Sequence, residues 1–330
     1  MTKPKQNKLR LEWDKELADA CVESFDAIVD YALEQVEAAK TEPETSVHAF
    51  RKSIRRARSH LRLLHDGRRD IDRTEINDAL RAAFEPTSQL RDADVLRPII
   101  EGVRHLATEE VVEAVLGTLS DFRETVGSAN AHDILSDQID GLHWCKWAIR
   151  KVVPEELSLK DLRHGFARSF RRCQDRRNTV IVTTTDLSVH GWRKRTKELR
   201  YQSELLSGGL GAEPVTSINA QLADLAQGLG EVTDLQILAD YLEVLKVEGV
   251  EGIPELWESV RKERLRALGA CVLTSQELFS KNHQDFAKAV FEAAPVPKRV
   301  VGPVINGALA KVSSCLCNPV SFLLLVSLIL

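Results

Sequence analysis

Aromatic side chains are scarce in this chain, at 5% of 330 residues, and there is a single methionine. Few stretches alternate strictly between apolar and polar residues, so a sheet-based core has little support. Six cysteines stand at 21, 145, 173, 271, 315 and 317, and none forms the CxxC pair that redox and zinc sites use. Cys315-x-Cys317 brings two thiols together without further ligands nearby, and neither a metal centre nor a cofactor is expected. The polar stretch from Met1 to Arg10 lacks the apolar core of a secretory signal, so free thiols in a cytoplasmic setting are expected. Positive charge is not in excess either: the net charge is −4 and the pI about 6.2. Affinity for a polyanion must therefore come from a local patch, not from the molecule as a whole. Long apolar runs are also missing. Val320 to Leu330 is apolar over eleven residues apart from two serines, and a spanning helix needs roughly twenty. A docked strand or helix is the first reading of that tail, a peripheral membrane contact the second and an anchor the third.

What is abundant is leucine, alanine, glutamate and arginine, which favour helix. Apolar periodicity and breakers place helices over 11–39, 47–64, 73–90, 95–106, 109–126 and 131–152, with Ser46 as an N-cap, Gly67 as a stop and a kink at Pro98. The second half reads as a segment over 154–177, an extended connection over 178–186 (NTVIVTTTD), then helices over 189–206, 217–227, 231–247, 254–279 and 282–293. Helices of this length on short connections pack as antiparallel bundles.

One element occurs twice, 142 residues apart, without insertion or deletion. Ser46-Val47-His48-x-Phe50-Arg51-Lys52-x-x-Arg55-x-x-Arg58 returns as Ser188-Val189-His190-x-Trp192-Arg193-Lys194-x-x-Lys197-x-x-Arg200. The same offset pairs Leu63-Leu64 with Leu205-Leu206, Ile76-Asn77 with Ile218-Asn219, and Asp92 with Asp234. The expected architecture is all-α: two antiparallel four-helix bundles related by an internal pseudo-twofold, over 1–153 and 154–298, followed by an apolar tail over 299–330.

Charge is segregated along the repeat. Ser46 to Leu64 holds six basic residues and no acidic one, whereas Lys3 to Glu44 holds six basic against eleven acidic. On a helix, His48, Arg51, Arg55, Arg58 and Arg62 share a stripe about 80° wide, and Phe50, Ile54, Ala57, Leu61 and Leu64 form a separate apolar stripe. His190, Arg193, Lys197 and Arg200 repeat the first stripe, and Trp192, Leu199 and Leu206 repeat the second. Glu204 stands where the first copy has Arg62, and Glu198 where it has Arg56, so the second row is a turn shorter. A row of guanidiniums spaced about 5–6 Å apart suits successive groups of a phosphate chain, and a histidine gains charge as anions approach. Arg168, Arg171 and Arg172 form a further basic run. Asp92 and Asp234 repel phosphate directly, so each is expected to orient an arginine or cap a helix. Asp94 has no acidic counterpart, because Gln236 takes its place.

Through His48-x-x-Arg51-Lys52-x-x-Arg55-x-x-Arg58, Leu90-Arg91-Asp92-x-Asp94-Val95-Leu96, Lys197-Glu198-Leu199-Arg200-Tyr201 and Leu229-Gly230-x-x-x-Asp234 with Ile237-Leu238, the sequence resembles the CHAD family, the conserved-histidine α-helical domain. The resemblance runs from about Leu11 to Ala293; Thr233, where the first copy has Arg91, departs from it. It implies binding of inorganic polyphosphate, without catalysis, in a basic groove between two bundles, with recruitment to polyphosphate granules. Position by position the contacts it implies are His48, Arg51, Lys52, Arg55, Arg58, His190, Arg193, Lys194, Lys197 and Arg200, with Arg168, Arg171 and Arg172 as additions. Some members of that family carry a triphosphatase domain; no Glu-x-Glu-x-Lys run is present here. Two other readings stay open: a phosphohydrolase or phosphotransferase using His48 or His190 with Asp92 or Asp234, and an RNA-binding module. The first lacks a dense acidic cluster for a divalent ion, and the second lacks aromatics interleaved with its cations.

Overall fold

The computed structural model describes residues 9–64, 70–88, 92–126, 130–208, 212–247, 249 and 251–292. Every regular element among them is helical: α1 (Leu17–Ala38), α2 (Pro43–Leu63), α3 (Asp70–Phe84), α4 (Asp92–Gly102), α5 (Glu109–Val126), α6 (Ala131–Ser136), α7 (Ile139–Val152), α8 (Leu159–Val182), α9 (Asp186–Leu206), α10 (Ala212–Val247), α11 (Ile253–Thr274) and α12 (His283–Glu292), with short 3-10 turns at Pro86–Ser88 and Arg104–Leu106. The all-α expectation holds. No helix among the described residues is long and apolar enough to cross a membrane. The described residues belong to one compact unit. The tail over 320–330 and Gly67 lie outside the described residues.

Several boundaries differ from the sequence reading, each for a local reason. Ser46 is not a cap. Pro43, whose φ is preset for a helix, occupies the first turn of α2, and the helix starts before Ser46, which is buried. Asn178 to Val182 do not form an extended connection but complete α8, and only Thr183–Thr185 separate it from α9. Thr185 then caps α9: its hydroxyl accepts from the Ser188 N–H at 3.1 Å, and Ser188 Oγ accepts from the Thr185 N–H at 3.0 Å. The same reciprocal device opens α8 through Ser158 and Asp161. Asn130 caps the start of α6, and Asp137–Gln138 divide the expected 131–152 helix into α6 and α7. Gly228 and Gly230 do not interrupt α10, which runs unbroken for 36 residues, about 54 Å.

The apolar stripes are buried as expected: Phe50, Ile54, Ala57 and Leu61 in α2, and Trp192, Leu199 and Leu206 in α9, are each at most 1% exposed. They join a large core that takes side chains from α1–α3, α6–α9, the first half of α10, the end of α11 and α12. A second core lies between α4, α5, the second half of α10 and the start of α11. Each core draws on both sides of residue 153, and α10 serves both. The close approach of α8 to α2 depends on Gly165, where an added Cβ would stand 1.9 Å from the Leu63 carbonyl oxygen. The motif helices α2 and α9 are thus held centrally, on layers formed by α1, α8 and α10.

Candidate functional site

The two motif helices pack directly on one another and run antiparallel. Arg56 Nη2 donates to Glu204 Oε2 at 2.8 Å, Gln202 Nε2 to the Ser59 carbonyl at 2.9 Å, and Arg62 Nη1 to Glu198 Oε2 at 2.9 Å. Partner numbers fall on one helix as they rise on the other. With a 142-residue offset, position 56 corresponds to 198 and 62 to 204, so the ion pairs Arg56–Glu204 and Arg62–Glu198 exchange places when the two copies are interchanged. What looked in sequence like a shortened second row is a reciprocal substitution: arginine at both positions in one copy, glutamate at both in the other, matched across the contact.

The candidate residues do not share one environment. Arg51 is 7% exposed; it donates to Thr87 Oγ1 at 2.7 Å and its guanidinium lies 4.1 Å from the Phe84 ring centroid. Arg55 also reaches over that ring, at 5.0 Å. Arg193, at the equivalent position of α9, is half-buried against α10, with Asp234 Oδ1 at 4.0 Å and Gly230 alongside. Asp234 thus faces Arg193 from α10. Asp92 opens α4, but its side chain and that of Asp94 lie outside the described residues. His48, His190 and Lys194 are exposed, and Lys52, Arg55, Arg58, Arg62, Arg168, Lys197 and Arg200 are half-buried. Arg171 and Arg172 are exposed on α8. Arg171 faces Asp175 at 3.9 Å, whereas Arg172 lies close enough to Arg62 to act on its charge.

Two clusters form on the paired helices. In the first, Arg58, Arg62, Lys194 and Arg195 surround Glu198, whose Oε2 accepts from both Arg62 (2.9 Å) and Arg195 (2.6 Å). In the second, Lys52, Arg56 and Arg200 surround Glu204, whose two oxygens accept from Arg56 and Arg200 at 2.8 Å each. His190 lies in the field of Arg193, Lys194, Lys197 and, across the helix pair, Arg55. Arg56, Arg195, Glu198 and Glu204 were not among the expected site residues. The double Arg-to-Glu exchange at one offset could have found Arg56, Glu198 and Glu204, whereas Arg195 stands opposite Ser53 in the repeat and carries no such signal.

Electrostatically, both clusters are strained in one direction. Burial lowers the pKa of Lys194, and Arg58, Arg62 and Arg195 lower it further against Glu198. Lys52 is lowered by burial, then by Arg56 and Arg200, against Glu204. Arg58 and Arg62 are likewise lowered, chiefly by burial, with Arg81 acting on the former and Arg195, Arg172 and Arg73 on the latter. Partial burial and four cationic neighbours depress His190 below the ordinary histidine value. For Glu204, burial raises the pKa, but hydrogen bonding to Arg56 and the charges of Arg56 and Arg200 outweigh it, so the net shift is downward. Cations held half-desolvated among cations favour an arriving anion, which relieves both costs at once. Among the described residues, no group of three or more His, Cys, Asp or Glu could hold a metal ion.

Comparison with known proteins bears on the fold and the family. A crystal structure of the CHAD domain from the plant Ricinus communis superposes with a TM-score of 0.52 at 19% identity, covering 90% of this chain and 99% of that one. That likeness speaks for the fold alone. No curated protein matches the chain. The family model described as the CHAD domain matches residues 23–243, and the chain accordingly belongs to the CHAD family.

Proposed function

We propose that this protein binds inorganic polyphosphate, without turning it over, along the basic surface carried by α2 and α9, and that it thereby associates with polyphosphate granules. The observation that carries this reading is the gathering of cations along the paired helices, with Arg62 and Arg195 on Glu198 and Arg56 and Arg200 on Glu204 and Lys52, Arg58, His190 and Lys194 beside them, each of these four shifted against its charged form by burial and cationic neighbours. A phosphate chain supplies a line of charges at a spacing side chains on successive turns can follow. His48, Arg55 and Lys197 extend the surface. Arg51 and Arg193 are packed against neighbouring elements, and their place in the reading is to seat α2 and α9 on those elements, with Asp234 facing Arg193. Arg172 borders the first cluster from α8, where it acts on Arg62, and Arg168 and Arg171 lie on the same helix.

The test is a titration with long-chain polyphosphate at two salt concentrations. Engagement of 6–10 phosphates loses roughly 10³–10⁵ in affinity between 50 and 200 mM salt. Lys52→Glu with Lys194→Glu is expected to weaken binding at least about 100-fold while helicity is retained, since Lys194 is exposed and Lys52 only half-buried. Unchanged affinity would sink the assignment. Orthophosphate release with Mg²⁺ or Mn²⁺ present would replace it by the hydrolase reading, and stronger binding of RNA at equal ionic strength by the nucleic-acid one.

A further inference from the structure

Resting on that reading, a second question is why two carboxylates sit inside a surface meant for an anion. Glu198 and Glu204 are not scattered surface charges. The Glu198 side chain is 2% exposed and that of Glu204 27%, and both contact arginines on two different helices. Orienting those arginines is the competing task. The first copy places Arg56 and Arg62 at the corresponding positions and carries no carboxylate there, so α2 brings two cations to the helix pair and α9 two anions. Geometry shows what that exchange commits. Each glutamate draws an arginine of α2 across to α9, using donors that could otherwise face a ligand: Arg56 Nη2 and Arg62 Nη1 are both committed to the partner helix.

We infer that Glu198 and Glu204 are built-in competitors of the polyanion: each occupies, as an internal anion, the donors that a phosphate group would take, and so limits both the affinity and the number of phosphates engaged. An arriving chain exchanges a carboxylate for a phosphate instead of meeting open cations, which keeps binding weak enough to reverse. The residues act through Arg56, Arg62, Arg195 and Arg200, so the readout must be one that mere support of the fold does not move.

That readout is the gain of affinity together with the salt slope. Glu204→Gln keeps the shape and a hydrogen-bonding oxygen and is partly exposed, so it is the primary variant. It is expected to bind long-chain polyphosphate roughly tenfold tighter and to steepen the slope of log K against log salt by about one phosphate contact. Glu155→Gln, an exposed residue between α7 and α8, controls for net charge and is expected to leave both quantities unchanged. In an Arg56→Gln background, the gain from Glu204→Gln is expected to shrink. Glu198→Gln is the second variant, with its thermal midpoint measured with and without ligand: a larger ligand-induced rise than in the parent supports the inference. Equal or weaker binding by Glu204→Gln, with the parent binding normally, overturns it and makes the glutamates orienting residues. Failure of the parent itself to bind at 50 mM salt overturns the polyphosphate reading first and this inference with it.

Discussion

The region after α2 and the region after α9 start from matching sequence and end in different structures, and one residue accounts for much of it. Pro86 stands where the offset places Gly228. In the first copy the helix stops at Phe84 and the chain turns through Pro86–Ser88 before α4 begins. Proline lacks the N–H and collides with the preceding turn, costing about 3 kcal/mol or more inside a helix. Glycine costs only about 1 kcal/mol, and α10 passes through Gly228 and Gly230 without a break. The consequence reaches the site. The turn presents Thr87, which receives Arg51, whereas the unbroken helix keeps Asp234 opposite Arg193. Among the described residues, Thr87 Oγ1 accepts from Arg51 in one copy, and Asp234 faces Arg193 in the other.

Moving the break gives the largest expected effect. Gly228→Pro should cost at least about 3 kcal/mol in urea denaturation and disrupt the core that α10 shares with α4, α5 and α11. Crowding contributes separately, because a Cβ at Gly228 would lie 2.8 Å from Cys271 Sγ. Gly228→Ala measures that part, and the difference between the two variants isolates the proline effect. Pro86→Ala, on the other side of the comparison, should change stability by less than about 1 kcal/mol. A Gly228→Pro protein within about 1 kcal/mol of Gly228→Ala, where the ring alone should cost about 3, would mean that α10 is not held as one helix.

A smaller effect separates His60 from Gln202, its counterpart by offset. Both are buried in the helix pair. His60 accepts or donates a hydrogen bond with Ser24 Oγ at 2.9 Å and meets Phe25 edge-on, and burial pushes its pKa down to about 4. The folded value lies below the unfolded one, so the unfolded chain takes the proton first. The stability due to a neutral His60 is present above about pH 6.5 and is lost as pH falls toward 4. A difference of that size between the folded and unfolded chain corresponds to about 3 kcal/mol. Gln202 cannot titrate. The acid limb of stability, followed by denaturation midpoints from about neutral pH down to about pH 4.5, should flatten in His60→Gln. An unchanged limb would place the acid sensitivity elsewhere.

The fold class was legible because helix periodicity and the repeat are properties of contiguous residues. Phe50, Ile54 and Trp192 could be assigned to the interior from their stripe alone. Boundaries were less legible where they turn on competition. The β-branched run from Asn178 to Val182 continues α8 although Val180 alone of its residues is buried, and Gly228 permits a helix that its neighbours then stabilise. At the site, the cations could be named, but not their division into packed and accessible ones. Arg51 and Arg55 share a stripe, yet Arg51 lies under Phe84 and Thr87, residues more than thirty positions away. The glutamates carried a readable sign, the paired exchange with Arg56 and Arg62, whose meaning required knowing that α2 and α9 face one another antiparallel.

The smallest expected effect concerns the two motif histidines. His190 is depressed by partial burial and by Arg193, Lys194, Lys197 and Arg55, so at neutral pH it is mostly neutral in the free protein. A bound polyphosphate reverses the sign of the local field and raises its pKa. Protonation then favours binding, and affinity should increase as pH falls through the interval between the free and bound values. Each tenfold gain in proton affinity on binding returns at most about tenfold in affinity for the ligand, and a few-fold change between about pH 7.5 and 6 is expected. Long chains are needed, so that titration of terminal phosphates does not contribute. His190→Gln should abolish the dependence, and His48→Gln, on the other copy, measures how equally the two helices share it. If the parent protein binds with the same affinity at both pH values, the ligand does not pass His190, and the basic surface is used only along its Lys194 and Lys52 clusters.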